Sequence, residues 1–447
     1  MKSKAIKIIS ILLALAMTLS LAACGGSGDD KTSTADKGGA VNSNSEGWNE
    51  IKAKLPADAS GKTIEVFTWN DLTDVTGAPA VVENFTKETG IKVEWNKSGG
   101  TMEDYFTKVV ARVASNDAPD IVRLRGTDLG VLQVLQPLDS FDFDFKSADW
   151  DSRIMDVYTF GGKTYATNMR NTLLQQPRCL IYNKKLISKY DLEDPYTLWK
   201  NGQWTWAKFE EICEIYADEA GDKATAWTSY RWADAADVYG SALIKREGDK
   251  FVANTDDGNL LKGWQTMTTL VEKGITNNIR FDRNNFENGK VLFFTESPIG
   301  VRRTHFYFQS LKSTGSVAIV PLPTVEGGTD AVIWSEVEAY GIPEGAPNGN
   351  LSPYFLRYYL DGDNYDKKTF FADPTILDVY ETLMKADKIF VNYDTELITE
   401  DVGIGGIHLN ARLVNAKPAQ IKAKIDENAN IIKAAVDNSN GLITKLD

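Results

Sequence analysis

From Lys62 onward the apolar pattern changes period repeatedly, and this alternation restricts the fold more than any other feature of the chain. Ile64-Glu65-Val66-Phe67-Thr68-Trp69 alternates at period two, as a strand does. Pro79 opens a helical run carrying Val81, Val82 and Phe85, and Gly90 falls where a helix carboxyl cap belongs. Ile91-Lys92-Val93-Glu94-Trp95 reads as a second strand. Met102, Tyr105, Phe106, Val109, Val110 and Val113 then recur at spacings of three and four on one helix face, and Asp120-Ile121-Val122-Arg123-Leu124 is a third strand. A β-α-β-α-β order predicts an α/β fold with a parallel sheet covered by helices.

The same grammar continues downstream. Thr205 is placed to cap a helix bearing Phe209, Ile212, Cys213 and Tyr216 that stops at Gly221. Leu260, Trp264, Met267 and Val271 form another apolar stripe, ended by Gly274, and Pro418 begins a helix with Ile421, Ile425, Ile432 and Val436. These stripes read as core faces. A length of 447 residues leaves room for two or three domains at ~150 residues each.

The first residues read as an address. Lys2, Lys4 and Lys7 precede an apolar run from Ile8 to Met17, too short for a lasting membrane span. Leu21-Ala22-Ala23-Cys24 resembles a bacterial lipobox, which implies cleavage after residue 23 and a lipid on Cys24. Gly25 to Gly47 has almost no apolar side chains and cannot bury enough surface to offset ordering entropy. As a flexible tether it reaches on the order of 25 Å. Cys179 and Cys213 are then expected as buried free thiols, with a disulfide as the alternative.

Composition removes several function classes. A net charge of −13 disfavours nucleic acid, whose phosphates select clustered Lys and Arg. Two histidines and three cysteines cannot furnish a His- or Cys-based metal site or an iron–sulfur cluster, and no metal or cofactor is expected. Gly162-Lys163-Thr164 lacks the first glycine of a phosphate-binding loop, since residue 157 is Val157. Gly403 and Gly405 lack the third glycine of a dinucleotide fingerprint, because His408 stands there. No Gly-x-Ser-x-Gly elbow or His-Glu-x-x-His occurs. Glu336 and Glu338 are spaced as a carboxylate pair and equally as two solvated residues on one strand face.

Several separated segments carry a resemblance. Ala118-Pro119-Asp120-Ile121-Val122, Gln136-Pro137-Leu138-Asp139, and Gly161-Gly162-Lys163-Thr164-Tyr165 come first. Cys179-Leu180-Ile181-Tyr182-Asn183-Lys184-Lys185-Leu186 is the most specific block. Trp204-Thr205-Trp206-Ala207-Lys208-Phe209, Phe286-Glu287-Asn288-Gly289-Lys290-Val291-Leu292-Phe293 and Pro321-Leu322-Pro323 complete the order. In this order the segments resemble the bacterial extracellular solute-binding proteins of family 1, the maltose-binding-protein-like receptors of ABC importers. Two departures stand out. Ala166-Thr167-Asn168 occupies the place where a proline is usual, and Ser297 to Arg303 replaces a segment that commonly holds a tryptophan near the ligand.

The resemblance implies a two-lobe periplasmic-binding-protein-like fold of type II, with the ligand in the cleft between lobes joined by crossing strands. Signal peptide 1–23 and tether 24–59 would precede lobe 1 (60–168 and 340–385) and lobe 2 (169–339 and 386–447). Residues at strand ends and crossings are the candidates for ligand contact. Trp69, Asn70 and Asp71 end the first strand, and a stacking plane beside an amide and a carboxylate suits a sugar's C–H faces and hydroxyls. Arg125 follows the third strand. Asn168 and Arg170 mark the first crossing; Trp334, Glu336 and Tyr340 mark the second. Tyr230 and Trp232 flank an arginine in lobe 2, and Arg302 takes the usual aromatic position. Several arginines together would also suit an acidic sugar.

The resulting expectation is a monomeric, lipid-anchored extracytoplasmic receptor, with no catalytic residues, that hands a carbohydrate to an ABC permease. It touches the membrane through its lipid only. The alternatives are the same fold with a non-sugar solute, a surface glycan-active lipoprotein enzyme, and a sensory receptor feeding a kinase.

Overall fold

The computed structural model describes residues 46–126, 129–221, 224–229, 234–276, 283–302, 307–325, 332–334, 337–371, 373–398 and 407–446. The leader, Cys24 and the segment up to Ser45 lie outside these residues, as do Tyr230, Trp232, Arg303 and Glu336. Nine strands make the two main sheets: β1 (Thr63–Thr68), β2 (Lys92–Lys97), β3 (Ile121–Arg125), β4 (Ala166–Thr167), β5 (Cys179–Asn183), β6 (Thr225–Ser229), β7 (Val291–Glu296), β8 (Val317–Pro321) and β9 (Glu338–Gly341).

The first sheet has the order β2-β1-β3-β9-β4. As the alternation of periods predicts, β1 lies parallel to both β2 and β3, and Val66 pairs with Trp95 on one side and Ile121 on the other. The sheet is not purely parallel, because β9 enters from far along the chain. It runs antiparallel between β3 and β4, setting Glu338 opposite Arg125 and Tyr340 opposite Arg123. The edge strand β2 exposes Lys92, Glu94, Asn96 and Lys97, side chains that discourage further pairing. The second sheet has the order β8-β5-β7-β6, with β5 antiparallel to both neighbours. Its five β5 residues are all buried, which is why that block reads as a continuous apolar run.

Local chemistry sets the helices. Ala78–Thr89 carries Pro79 in its first turn and ends on Gly90 at φ 74°, a left-handed conformation costly for any residue with a Cβ. Met102–Ala114 is held by a reciprocal cap in which Thr101 Oγ1 accepts from Asp104 N and Asp104 accepts from Thr101 N. Tyr105 and Val109 carry its buried face, whereas Val110, expected on that face, is exposed. Thr205 caps Trp206–Ala220 as expected, accepting from Lys208 N. The continuous helix expected from Pro418 is divided into Ile421–Glu427 and Ala429–Ile443 at Asn428, whose Nδ2 donates to Lys424 O. Cys179 and Cys213 are buried thiols, in keeping with their apolar settings.

One expectation is corrected. The stretch 24–59 reads as flexible in sequence, but Glu46–Lys52 is a helix and Trp48 is only 1% exposed. Its ring meets Tyr358 edge-on at 4.8 Å and its Nε1 donates to Glu88 at 2.8 Å, so a single tryptophan docks the segment. The return to the second half of the molecule is expected near residue 385. Ser352–Tyr359 packs on Ala78–Thr89 beside the first sheet, whereas Pro374–Lys385 packs on β8 of the second. No helix among the described residues is long and apolar enough to cross a membrane.

Candidate functional site

The polar groups of the crossing region converge on one carboxylate. Glu338 opens β9 and is 1% exposed. Its Oε2 accepts from Arg123 Nε at 2.7 Å and its Oε1 from Gln176 Nε2 at 2.7 Å, with Arg125 Nε at 4.0 Å. Asn168 Nδ2 donates to its carbonyl at 2.9 Å and Gln175 Nε2 donates to the same oxygen, while its N–H donates to Gln175 Oε1 at 3.1 Å. A buried charge is tolerable only when it is paired and hydrogen-bonded, and here each carboxylate oxygen has a donor.

Arg123 carries the network to the end of β1. Its Nη1 donates to Asn70 Oδ1 at 2.8 Å and its guanidinium lies 4.6 Å over the ring of half-buried Trp69. Tyr105 braces the same ring edge-on at 5.2 Å. Burial depresses the Arg123 pKa, but the charge and hydrogen bond of Glu338 together with Tyr340 and Tyr359 outweigh it, and the net shift is upward. Trp69 thus presents a plane whose tilt is set by a cation and by a tyrosine, not by solvent. On the other side, Gln176 Oε1 accepts from Ser297 Oγ at 3.1 Å and Ser297 N donates to Glu296 Oε1 at 2.8 Å. Arg178 Nη1 reaches that same oxygen at 3.1 Å, so the chain of hydrogen bonds runs from the end of β1 in one sheet to the end of β7 in the other.

Of the residues expected at the site, Trp69, Asn70, Arg125 and Asn168 gather around Arg123 and Glu338. Asp71 turns away to an exposed pair with Lys97 at 2.9 Å. Arg170 faces Asp151 at 3.8 Å and Asp387 at 3.9 Å rather than the network. Tyr340 is buried in an aromatic cluster with Tyr359 at 6.0 Å, and its burial raises its pKa; it is a core residue. Arg302 is buried in the crossing region, donating to Leu173 O at 2.8 Å and lying over Phe370 at 4.9 Å. Trp334 ends a short strand, Val332–Trp334, but its side chain is outside the described set, as are Tyr230, Trp232 and Glu336. No group of acids, histidines and cysteines suited to a metal occurs among the described residues.

Arg123, Gln175, Gln176 and Glu338 are not among the contacts expected from sequence. Arg123 has a readable signal: a charge in the middle of an apolar strand must find a buried partner. Glu338 stands out in sequence only as half of a pair with Glu336, and the two glutamines follow no pattern.

A concavity of about 990 Å³ lies apart from this network. Arg153, Asp156, Arg246, Asp249, Phe390 and Tyr393 are among its walls. Arg246 ties it together, stacked 4.1 Å over the ring of Phe160 and donating to the carbonyls of Asp156 at 2.7 Å and Thr159. Its charge is largely committed to these backbone contacts, so the Glu338 network, at the carboxyl ends of β1 and β3, is the better candidate for ligand contact.

Comparison with known proteins agrees with this architecture. The family model of the bacterial extracellular solute-binding proteins matches residues 80–382. No curated protein sequence matches the chain. Among solved structures, the GacH receptor of Streptomyces glaucescens, determined unliganded and with acarbose, is 18% identical with a TM-score of 0.60, over 83% of this chain and 98% of that one. The galacto-N-biose-/lacto-N-biose I-binding protein of a Bifidobacterium longum ABC transporter, in complex with lacto-N-biose, is 17% identical with a TM-score of 0.60, over 84% and 99%. An ABC substrate-binding protein of Listeria monocytogenes, in complex with cycloalternan, is 18% identical with a TM-score of 0.58, over 85% and 98%. At these identities the likeness establishes the two-lobe fold, while the family match covers most of the chain. The chain belongs to the bacterial extracellular solute-binding proteins.

Proposed function

We propose that the protein is a receptor that captures a carbohydrate, an oligosaccharide, between its two lobes and delivers it to the membrane subunits of an ABC importer. The observation that carries this reading is the fixed Trp69 plane with Asn70 and Arg123 locked beside it. Such a plane stacks on the C–H face of a sugar while amide and guanidinium groups meet its hydroxyls. The solved structures named above include complexes with acarbose, lacto-N-biose and cycloalternan, which supports the same reading. Lobe 1 is assigned to residues from 60 to 168 and from 340 to about 371, and lobe 2 to the segment between them and the remainder of the chain. Closure of one lobe on the other buries the ligand and makes a single surface for the permease. The protein works as a monomer without chemistry, held outside the cytoplasm by a lipid on Cys24.

The test is thermal unfolding of the protein from Ser45 onward against neutral and acidic glycans, with each glycan recovered and weighed afterwards. A true ligand at 100-fold its dissociation constant adds about 2.7 kcal/mol of stability. A glycan returned cleaved would mean an enzyme, and no stabilisation by any glycan would mean a non-sugar solute.

A further inference from the structure

Three guanidiniums are sealed into the crossing region: Arg123, Arg178 and Arg302. Two have a carboxylate. Arg123 pairs with Glu338 at 2.7 Å and Arg178 with Glu296 at 3.1 Å. Arg302, 2% exposed, has none within ion-pair distance among the described residues. Its side chain donates through Nη2 to Leu173 O, its Nε is buried without an acceptor, and Phe370 covers its face. Burial presses its pKa down and the positive charge of Arg123 adds to this, while Tyr380 and Glu338 act the other way without reversing the shift. An uncompensated buried cation is among the more expensive features a fold can keep. This chain has 62 acidic residues against 49 basic ones, so the surplus of positive charge here runs against its overall composition.

We infer that the missing anion arrives with the ligand: the carbohydrate carries a carboxylate, as a uronic acid unit does. The inference rests on the carbohydrate reading above and narrows it. Arg125 stands at the solvent edge of the cluster, 27% exposed, and meets the carboxylate. Arg302, which no carboxylate among the described residues answers, supplies positive potential in surroundings too dry to screen it. A neutral sugar leaves that potential unanswered, and an acidic one completes it.

Calorimetric titration of the full chain in mild detergent tests this, with di- and trisaccharides of galacturonic and glucuronic acid as probes. Each is set against its methyl ester, against the matching neutral hexose oligosaccharide, and against sodium sulfate. The expected result is at least one acid bound tenfold or more tighter than its ester and its neutral match. That advantage should shrink severalfold in Arg302→Gln. The ester comparison uses the unaltered protein and so stands even if the variant does not fold. Neutral sugars binding as well as acids would overturn the inference and leave the carbohydrate reading intact. Full acid preference in a folded Arg302→Gln, or sulfate alone binding as tightly as the uronates, would also overturn it. Failure of every glycan to bind would overturn the carbohydrate reading itself, and the inference with it.

Discussion

Replacing Glu338 by glutamine keeps the shape of the side chain and removes its charge, which isolates what that charge does. In the native protein the carboxylate accepts from Arg123 and from Gln176, each at 2.7 Å. A carboxamide turns an NH2 group toward one of these two donors, so one buried donor loses its acceptor at a cost of about 1–3 kcal/mol. The larger effect is on Arg123, whose charge stays buried with only Asn70 Oδ1 at 2.8 Å and the Trp69 face at 4.6 Å to stabilise it. Breaking a buried pair from one side costs about 3–5 kcal/mol. The cation–π contact, about 2 kcal/mol when desolvated, is already present in the wild type and offsets nothing new. Glu338→Gln is therefore expected to lose about 3–5 kcal/mol in urea unfolding, seen as a fall in midpoint at constant slope. Arg123→Met in the same chain removes the orphaned cation. The double variant should regain at least ~2 kcal/mol relative to Glu338→Gln alone, because an apolar pair of similar volume is often nearly neutral. A loss below ~1 kcal/mol, or strictly additive losses in the double variant, would refute the view that this pair is a coupled buried unit.

Trp48→Ala removes a fully buried ring together with its hydrogen bond to Glu88, and should cost about 3–5 kcal/mol in the same assay. Deleting residues before Lys54 should produce a loss of similar size. Asp394 is buried against the N–H groups of Leu243 and Ile244, and burial pushes its carboxyl up to about 7. Its folded form holds the proton more tightly than the unfolded chain does. The associated stability is full below about pH 4 and is lost as pH rises through 7, by up to ~4 kcal/mol. Denaturation midpoints between pH 4 and 8 should show this decline, and Asp394→Asn should flatten it. Burial raises the Cys213 pKa, with Glu210 and Glu214 adding to the effect, so native protein should resist a thiol reagent at pH 8 and become labelled at both Cys179 and Cys213 only on unfolding.

Much of the local structure is legible in the sequence because it is set by neighbours. Gly90, Thr101 and Thr205 act within four residues of themselves, and the alternation in β1 reports one buried face directly. The antiparallel arrival of β9 is not legible, since nothing within Glu338-Ala339-Tyr340-Gly341 says which strands it will separate. The same limit explains Trp48. Its surroundings in sequence are those of a solvated tether, and its burial depends on Tyr358, more than three hundred positions away. In the candidate site, Trp69, Asn70 and Arg125 follow from their place at strand ends, whereas Gln175 and Gln176 acquire their roles only when Glu338 is brought to them. Tyr340 escapes the same reasoning because a tyrosine at a crossing can face the cleft or the core, and here Tyr359 lies beside it in the core with Tyr365 next to that ring.

The strand order also dictates a schedule for folding. All four strands of the second sheet are drawn from one uninterrupted stretch, Cys179 to Pro321. The first sheet begins earlier in the chain but cannot close until β9 is present, because β9 separates β3 from β4. A chain made from its amino terminus therefore completes its second-encoded half first, and carries the opening strands unpaired on one side until residue 341 has emerged. Through that interval the edge of β3 is an open template for wrong pairing. Arg123 and Arg125 lie along it, and their charges guard the edge against association before Glu338 arrives to pair with Arg123.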